Sequence, residues 1–188
     1  MAVESTMLAL GTAAPDFDLV DTVSGQPVSL ADHSSKALVV MFICNHCPYV
    51  KHVQQGLVEF GRDYAGADVD IVAISSNDAT AYPDDAPNEL AATARRLGYS
   101  FPVLYDETQE VARAYTAACT PDFFVFGPER TLVYRGRFDE SRPDSGLPVT
   151  GADLRAAVDS VIAGESVADM QYPSMGCSIK WAPGNEPY

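Results

Sequence analysis

The stretch "ALVVMFICNHCPYVK", residues 37–51, decides how the rest of this chain is interpreted. It opens with a continuous apolar run, "ALVVMFI", of the kind that forms a strand covered on both faces. After the run, apolar residues recur at spacings of three and four, as on one face of a helix: Val50, Val53, Leu57, Phe60 and Tyr64. Cys44 and Cys47 therefore stand where a buried strand is predicted to end and a helix to begin.

The neighbouring segments extend this pattern in both directions. The run "VDIVAISS" (69–76) completes a strand–helix–strand crossover, in which the two strands are parallel. Upstream, residues 14–36 alternate around Gly25 and predict a small hairpin. Downstream, residues 77–88 predict a polar surface loop, and residues 122–138 predict a second, antiparallel hairpin.

Together these elements predict one domain over residues 1–188, a length suited to a single core. We expect an α/β fold in which a central mixed sheet is flanked by helices and carries the N-terminal hairpin as an extension. The core spans about 14–163. Residues 164–188, rich in Pro and Gly, are expected to form an irregular C-terminal tail packed on the body.

The composition of the chain argues against two kinds of partner, nucleic acids and membranes. The formal net charge of -14, with only 12 Lys and Arg, argues against a nucleic-acid partner. No apolar run approaches the roughly 20 residues of a membrane span, and "MAVESTMLAL" lacks the basic start of a secretory signal. We therefore expect a cytoplasmic protein with no membrane partner. In that reducing compartment, two close cysteines are more often catalytic or metal-binding than a structural disulfide.

The position of the cysteines suits thiol chemistry. Unpaired N–H groups at a helix start stabilise a thiolate, and Cys47 follows Cys44 by about one helical turn. Pro48 fits the first turn, where its missing N–H has no helical partner. His46 either favours the thiolate as an imidazolium or is a loop histidine without a role. On the first reading, we expect the pKa of Cys44 to lie below the ordinary thiol value of about 8.5.

A second motif, "CTPDFFVF" (119–126), places Thr120-Pro121 directly before a predicted strand, where a cis X-Pro bond turns the chain sharply. With "APDFDLVD", "VSLAD" and "ALVVMFICNHCPYVK", in chain order, this motif resembles the thioredoxin-fold superfamily. The resemblance is to its peroxiredoxin-like branch, which is related to alkyl hydroperoxide reductase and thiol-specific antioxidant proteins. It implies a thioredoxin-like fold, a cis-Pro121 facing the dithiol, an exposed attacking Cys44 and a buried partner Cys47.

The chain also departs from these relatives. Val40 and Cys44 stand where the peroxiredoxin pattern has proline and threonine, and the arginine expected near Cys119 or Thr120 is absent. Leu38 replaces the buried acid of the thioredoxin pattern. The residues expected around a dithiol are all present, namely two cysteines at a helix start and a facing proline. The proline, threonine and arginine that activate peroxide in peroxiredoxins are not. The main prediction is therefore a thiol–disulfide oxidoreductase with an antioxidant role, and the alternative is a peroxiredoxin-type thiol peroxidase.

Two further alternatives stay open. Cys44, His46, Cys47 and Cys177 are residue types that bind zinc, so a metal-binding module is one of them. A redox sensor without turnover is the other. Cys119 and Cys177 are either resolving or accessory thiols, or packed structural ones. No cofactor is predicted; the expected partner is a thiol/disulfide electron donor or a protein substrate, and a homodimer is left open.

Overall fold

The computed structural model describes residues 2–187. Ten strands and four helices follow one another along this part of the chain: β1 (Ala2–Glu4), β2 (Asp18–Asp21), β3 (Pro27–Ser29), β4 (Ala37–Phe42), α1 (Pro48–Asp63), β5 (Val69–Ser75), α2 (Pro87–Leu97), β6 (Val103–Tyr105), α3 (Glu110–Ala114), β7 (Cys119–Thr120), β8 (Asp122–Phe126), β9 (Leu132–Gly136), α4 (Ala152–Ala163) and β10 (Met175–Ser178). A short 3₁₀ helix, Pro83–Asp85, precedes α2.

Seven strands form the central sheet in the order β3-β2-β6-β5-β4-β8-β9. β5 runs parallel to β4 and β6, and the other pairs are antiparallel. The predicted mixed α/β sheet with a thioredoxin-like arrangement is therefore confirmed. The predicted N-terminal hairpin is also present as β2 and β3, and its pairing with β6 makes it part of the central sheet.

Strand β4 lies in the middle of the molecule, and all six of its residues are buried. Side chains alternate between the two faces of a strand, so β4 supplies two cores. Val39 and Met41 pack with α1, α2 and α4, whereas Leu38 and Val40 pack with α3 and the residues after β10. This double burial explains why the sequence shows a continuous apolar run instead of an alternating one.

The C-terminal tail, which the sequence analysis expected to be irregular throughout, contains a strand, β10 (Met175–Ser178). Strand β10 lies between β1 and β7 in a second, three-stranded sheet. Gly176 makes this approach possible, because a Cβ there would overlap the carbonyl oxygen of Thr120. Four residues with one glycine are too few to show a strand pattern, so the sequence did not reveal β10.

Within residues 2–187, no helix is both long enough and apolar enough to cross a membrane.

Candidate active site

The two cysteines of the opening motif lie between β4 and α1. Cys47 is the N-cap of α1 and has an extended backbone, and Pro48 occupies the first turn, as predicted. The two thiols lie close enough for each to shift the pKa of the other. Cys47 is 0% exposed and Cys44 only 3%. The resemblance implied an exposed Cys44, and this expectation is wrong because the chain around Thr120 covers it.

The Thr120-Pro121 peptide is cis, as the resemblance implied, and the turn contacts both sulfur atoms. The Thr120 hydroxyl lies 3.2 Å from Cys44 Sγ. The carbonyl oxygen of the same residue accepts a hydrogen bond from the Cys47 thiol at 3.2 Å. β4 and β8 are adjacent antiparallel strands, with Phe42 opposite Asp122. The C-terminal end of β4 and the cis turn before β8 therefore meet at the same end of the sheet.

The electrostatics of the pair reverse the expectation for Cys44. Hydrogen bonds from the thiols of Cys44 and Cys177 and from the N–H groups of Val50 and Cys177 lower the pKa of Cys47 to about 4, against the effect of burial. The hydrogen bond to Cys47, burial and the nearby Asp85 carboxylate raise the pKa of Cys44. The helix start does stabilise a thiolate, but at the second cysteine of the motif and not at the first.

His46 is directed at Asp85, since its Nδ1 lies 2.5 Å from an Asp85 carboxylate oxygen. Its ring also stacks on Tyr82, with the centroids 5.2 Å apart. A ring nitrogen of His46 also lies within 4.8 Å of the Cys44 sulfur, so the tuning of Cys44 by an imidazolium stays a prediction. The contacts with Asp85 and Tyr82 join the dithiol loop to residues 77–88.

Asp85 is the site residue that sequence reasoning missed. The segment 77–88 was expected to be a surface loop, yet Asp85 is 0% exposed. Its carboxylate accepts hydrogen bonds from the backbone N–H groups of Asn45 and His46 and from the side-chain amide of Asn77. It thereby fixes the loop between the two cysteines. No local pattern distinguishes it from Asp84, which is exposed.

The remaining cysteines lie at the same end of the sheet. Cys177 pairs with Thr120 across β10 and β7 and is half-buried. Its pKa is raised to about 11 by burial and by its hydrogen bond to Cys47. Cys119 is 0% exposed, its thiol lies 3.8 Å from the Pro121 carbonyl oxygen, and burial raises its pKa. The structure thus brings Cys177 into the site and leaves Cys119 as a packing residue.

The predicted zinc set is split by the fold. Cys47 contacts Cys177, whereas a Cys44 sulfur, a His46 nitrogen and an Asp85 oxygen lie within 4.8 Å of one another. This second group offers three ligand atoms of types that zinc accepts. Both Asp85 oxygens already accept two hydrogen bonds each, so the carboxylate is satisfied without a metal. The contacts therefore favour a hydrogen-bonded dithiol site over a metal site.

Fold and site together define a thioredoxin-fold protein whose dithiol lies at a helix start and faces a cis-proline. Residues 10–135, more than half of the chain, match the model of the AhpC/TSA family. The chain therefore belongs to the AhpC/TSA family.

Individual relatives add detail. A crystal structure of an uncharacterized conserved protein from Geobacillus kaustophilus is 55% identical, with a TM-score of 0.96 over 98% of both chains. The thiol-disulfide oxidoreductase ResA of the same species is 26% identical over 122 residues, which are 65% of this chain and 66% of ResA. The alignment thus spans slightly less than two thirds of that relative. A thiol:disulfide interchange protein of the thioredoxin family from Chlorobium tepidum is 20% identical, with a TM-score of 0.63 over 82% of this chain and 98% of its own, and supports the fold alone.

Proposed function

We propose that this protein is a thiol–disulfide oxidoreductase that uses Cys44 and Cys47. The observation that carries the proposal is the pair of buried thiols at the start of α1, both within 3.2 Å of Thr120 atoms beside the cis-Pro121. The name of ResA, a thiol-disulfide oxidoreductase, supports the same activity.

The first step begins at Cys44, which at 3% exposure is the less buried residue of the pair. Its proton passes to the neighbouring Cys47 thiolate as Cys44 attacks one sulfur of a substrate disulfide. The substrate S–S bond breaks, a Cys44–substrate disulfide forms, and the first substrate thiolate leaves. Cys47 is the proton acceptor beside Cys44. Because its pKa is the lower of the two, this transfer is uphill and is completed only as the Cys44–substrate bond forms.

The second step returns to Cys47. The departing thiolate takes the proton from Cys47, whose thiolate is stabilised by the N–H groups of Val50 and Cys177. Cys47 then attacks Cys44, the mixed disulfide breaks, and the second substrate thiolate leaves. The protein is oxidised by two electrons and the substrate disulfide is reduced by two, so an external thiol donor has to restore the dithiol.

The substrate that we propose is a protein disulfide that approaches the dithiol from the side of Pro121. A cleft of about 200 Å³ lies beside Pro121, between α1 and the segment that precedes β10. Tyr49, His52, Arg142 and Met175 are among its lining residues. An antioxidant role, which membership of the AhpC/TSA family supports, is part of the proposal, as is a location in the cytoplasm, which only the sparse cysteine usage supports.

The experiment measures reduction of a protein disulfide with dithiothreitol as the donor. Cys44→Ser should lower turnover by more than about 10³-fold, because the attacking sulfur is lost. Cys119→Ala is the matched control, and it should turn over like the wild type. Equal activity of Cys44→Ser and the wild type would refute the proposal, and a wild type without turnover would favour the redox-sensor alternative.

Peroxide reduction is a second candidate, because Cys47 stands where the family pattern has its peroxide-reactive cysteine and has a lowered pKa. Its thiolate would cleave the O–O bond to give a sulfenic acid and an alcohol or water. A second thiol would then form a disulfide and release water. Cys47 is fully buried, and the missing arginine is a charge-stabilising donor whose loss costs about 3 kcal/mol, or ~100-fold in rate. We expect slow peroxide consumption; rapid consumption that depends on Cys47, with little disulfide reduction, would reverse the ranking.

A further inference from the structure

The C-terminal strand β10 is held against the active site by close backbone contact. Cys177 lies directly opposite Thr120, the residue that contacts both catalytic thiols. Gly176 permits this contact, since any Cβ would overlap the Thr120 carbonyl oxygen that accepts from Cys47. Because β10 can lie this close to Thr120 only with a glycine at position 176, Cys177 is held in a fixed position beside the dithiol.

Three cysteines therefore meet at Thr120. The Thr120 hydroxyl lies 3.2 Å from Cys44 Sγ, the Thr120 carbonyl oxygen lies 3.2 Å from Cys47 Sγ, and Cys177 is the partner of Thr120 across β7 and β10. Cys44 and Cys47 are buried, whereas Cys177 is half-buried. The dithiol is thus close to one thiol that has more access to solvent than either of its members.

We propose that Cys177 is a third redox thiol, which accepts the disulfide from Cys44 and exchanges it with the external donor. The step rests on the proposed function, which supplies the Cys44–Cys47 disulfide. The Cys177 thiolate attacks Cys47 Sγ, the Cys44–Cys47 bond breaks, a Cys47–Cys177 bond forms, and Cys44 leaves as the thiolate. No net oxidation occurs, and the disulfide moves from a pair of buried residues to a pair in which one residue, Cys177, is only half-buried.

Oxidation of Cys47 removes a negative charge beside Cys177, which favours the Cys177 thiolate that this step needs. In the reduced protein, burial, the hydrogen bond to Cys47 and the charge of Cys47 all raise the pKa of Cys177, and Lys180 lowers it. Once Cys47 is part of a disulfide it carries no charge and needs no donor. The hydrogen bond to Cys47 and the charge of Cys47 then no longer raise the pKa of Cys177, whereas Lys180 still lowers it. Cys177 therefore becomes a better nucleophile when Cys47 is oxidised.

The test starts from Cys44→Ser, which leaves Cys47 without its usual partner. The variant is oxidised with diamide, free thiols are blocked, and disulfide-linked peptides are identified by mass spectrometry. We expect a Cys47–Cys177 disulfide, unchanged when Cys119→Ala is added and lost when Cys177→Ser is added. Circular dichroism checks that each variant is folded, and Cys177→Ala replaces Cys177→Ser if the serine variant is not.

A second measurement asks whether the step is used. Cys177→Ser in the otherwise native chain should still form the Cys44–Cys47 disulfide but should be reduced by a protein dithiol such as thioredoxin about tenfold more slowly. Absence of the Cys47–Cys177 disulfide in folded Cys44→Ser, or an unchanged rate in Cys177→Ser, would overturn the inference. Either result leaves the proposed function intact if the wild type still reduces protein disulfides. Loss of that activity in the wild type would instead refute the proposed function.

Discussion

Cys47 and Cys119 are equally buried, at 0% exposure, and lie at the same end of the sheet, yet their acidities move in opposite directions. The pKa of Cys47 is lowered, because it caps α1 and receives two backbone N–H groups and two thiol donors. The pKa of Cys119 is raised by burial, by the Asp122 carboxylate and by its cysteine neighbours. Burial alone therefore does not determine the reactivity of a thiol; the direction of the surrounding donors does.

Two buried carboxylates repeat the contrast. Asp85 accepts four hydrogen bonds, from two backbone N–H groups, the Asn77 amide and the His46 ring. Asp122 accepts from the N–H of Phe123, and its other oxygen has no hydrogen-bond partner within the described part of the chain. Burial raises the pKa of Asp122 well above its usual value. Removing the first carboxylate and removing the charge from the second should therefore have opposite consequences for stability.

The largest expected effect comes from Asp85→Ala. The substitution leaves the N–H groups of Asn45 and His46 and the Asn77 amide without their acceptor in a buried site. We expect the free energy of unfolding to fall by about 3 kcal/mol, measured by urea denaturation. We also expect slower disulfide reduction, because the loop between the cysteines loses its anchor.

The exposed neighbour Asp84 supplies the control. Asp84→Ala should change the free energy of unfolding by less than about 0.5 kcal/mol. Equal effects of the two substitutions would show that the hydrogen bonds of Asp85 do not hold the site together.

A smaller effect is expected on the pKa of Cys47, which should differ between two substitutions at Cys44. The Cys44 thiol is the strongest of the donors that lower the pKa of Cys47. Cys44→Ala removes the donor and should raise that pKa by about one to two units, whereas Cys44→Ser keeps a hydroxyl donor and should raise it less. The thiolate absorbance in the ultraviolet, followed against pH, measures both. Identical titrations of the two variants would mean that the N–H groups alone stabilise the thiolate.

The sequence predicts the strands and helices well because periodicity records burial. The run at 37–43 and the stripe from Val50 to Tyr64 appear as β4 and α1 with its C-terminal end. It also placed Thr120-Pro121 at the dithiol, through the family resemblance. It did not reveal which cysteine is the acidic one, since that depends on how the two thiols are oriented toward each other and on donors from β10, distant in sequence. Asp85 was missed for the same reason: its partners lie at 45, 46 and 77, and burial of a polar residue leaves no periodic signal.

The smallest effect should come from Asp122→Asn, and its sign depends on pH. The folded-state pKa of Asp122 lies above the ordinary value of 3.8, so the folded protein binds a proton there more tightly than the unfolded chain does. As pH rises through the interval above about pH 4, the unfolded chain loses this proton first and the wild type loses stability. Asn has no proton to lose, so the variant should be more stable than the wild type by about 1 kcal/mol at neutral pH, with a smaller difference near pH 4. Urea denaturation of both proteins at neutral pH and near pH 4 measures how their stability difference changes with pH. Any cost of burying the Asn amide is the same at both pH values and does not affect this change. A difference that is the same at both pH values would show that Asp122 titrates normally, and the contrast with Asp85 would then have to rest on hydrogen bonds alone.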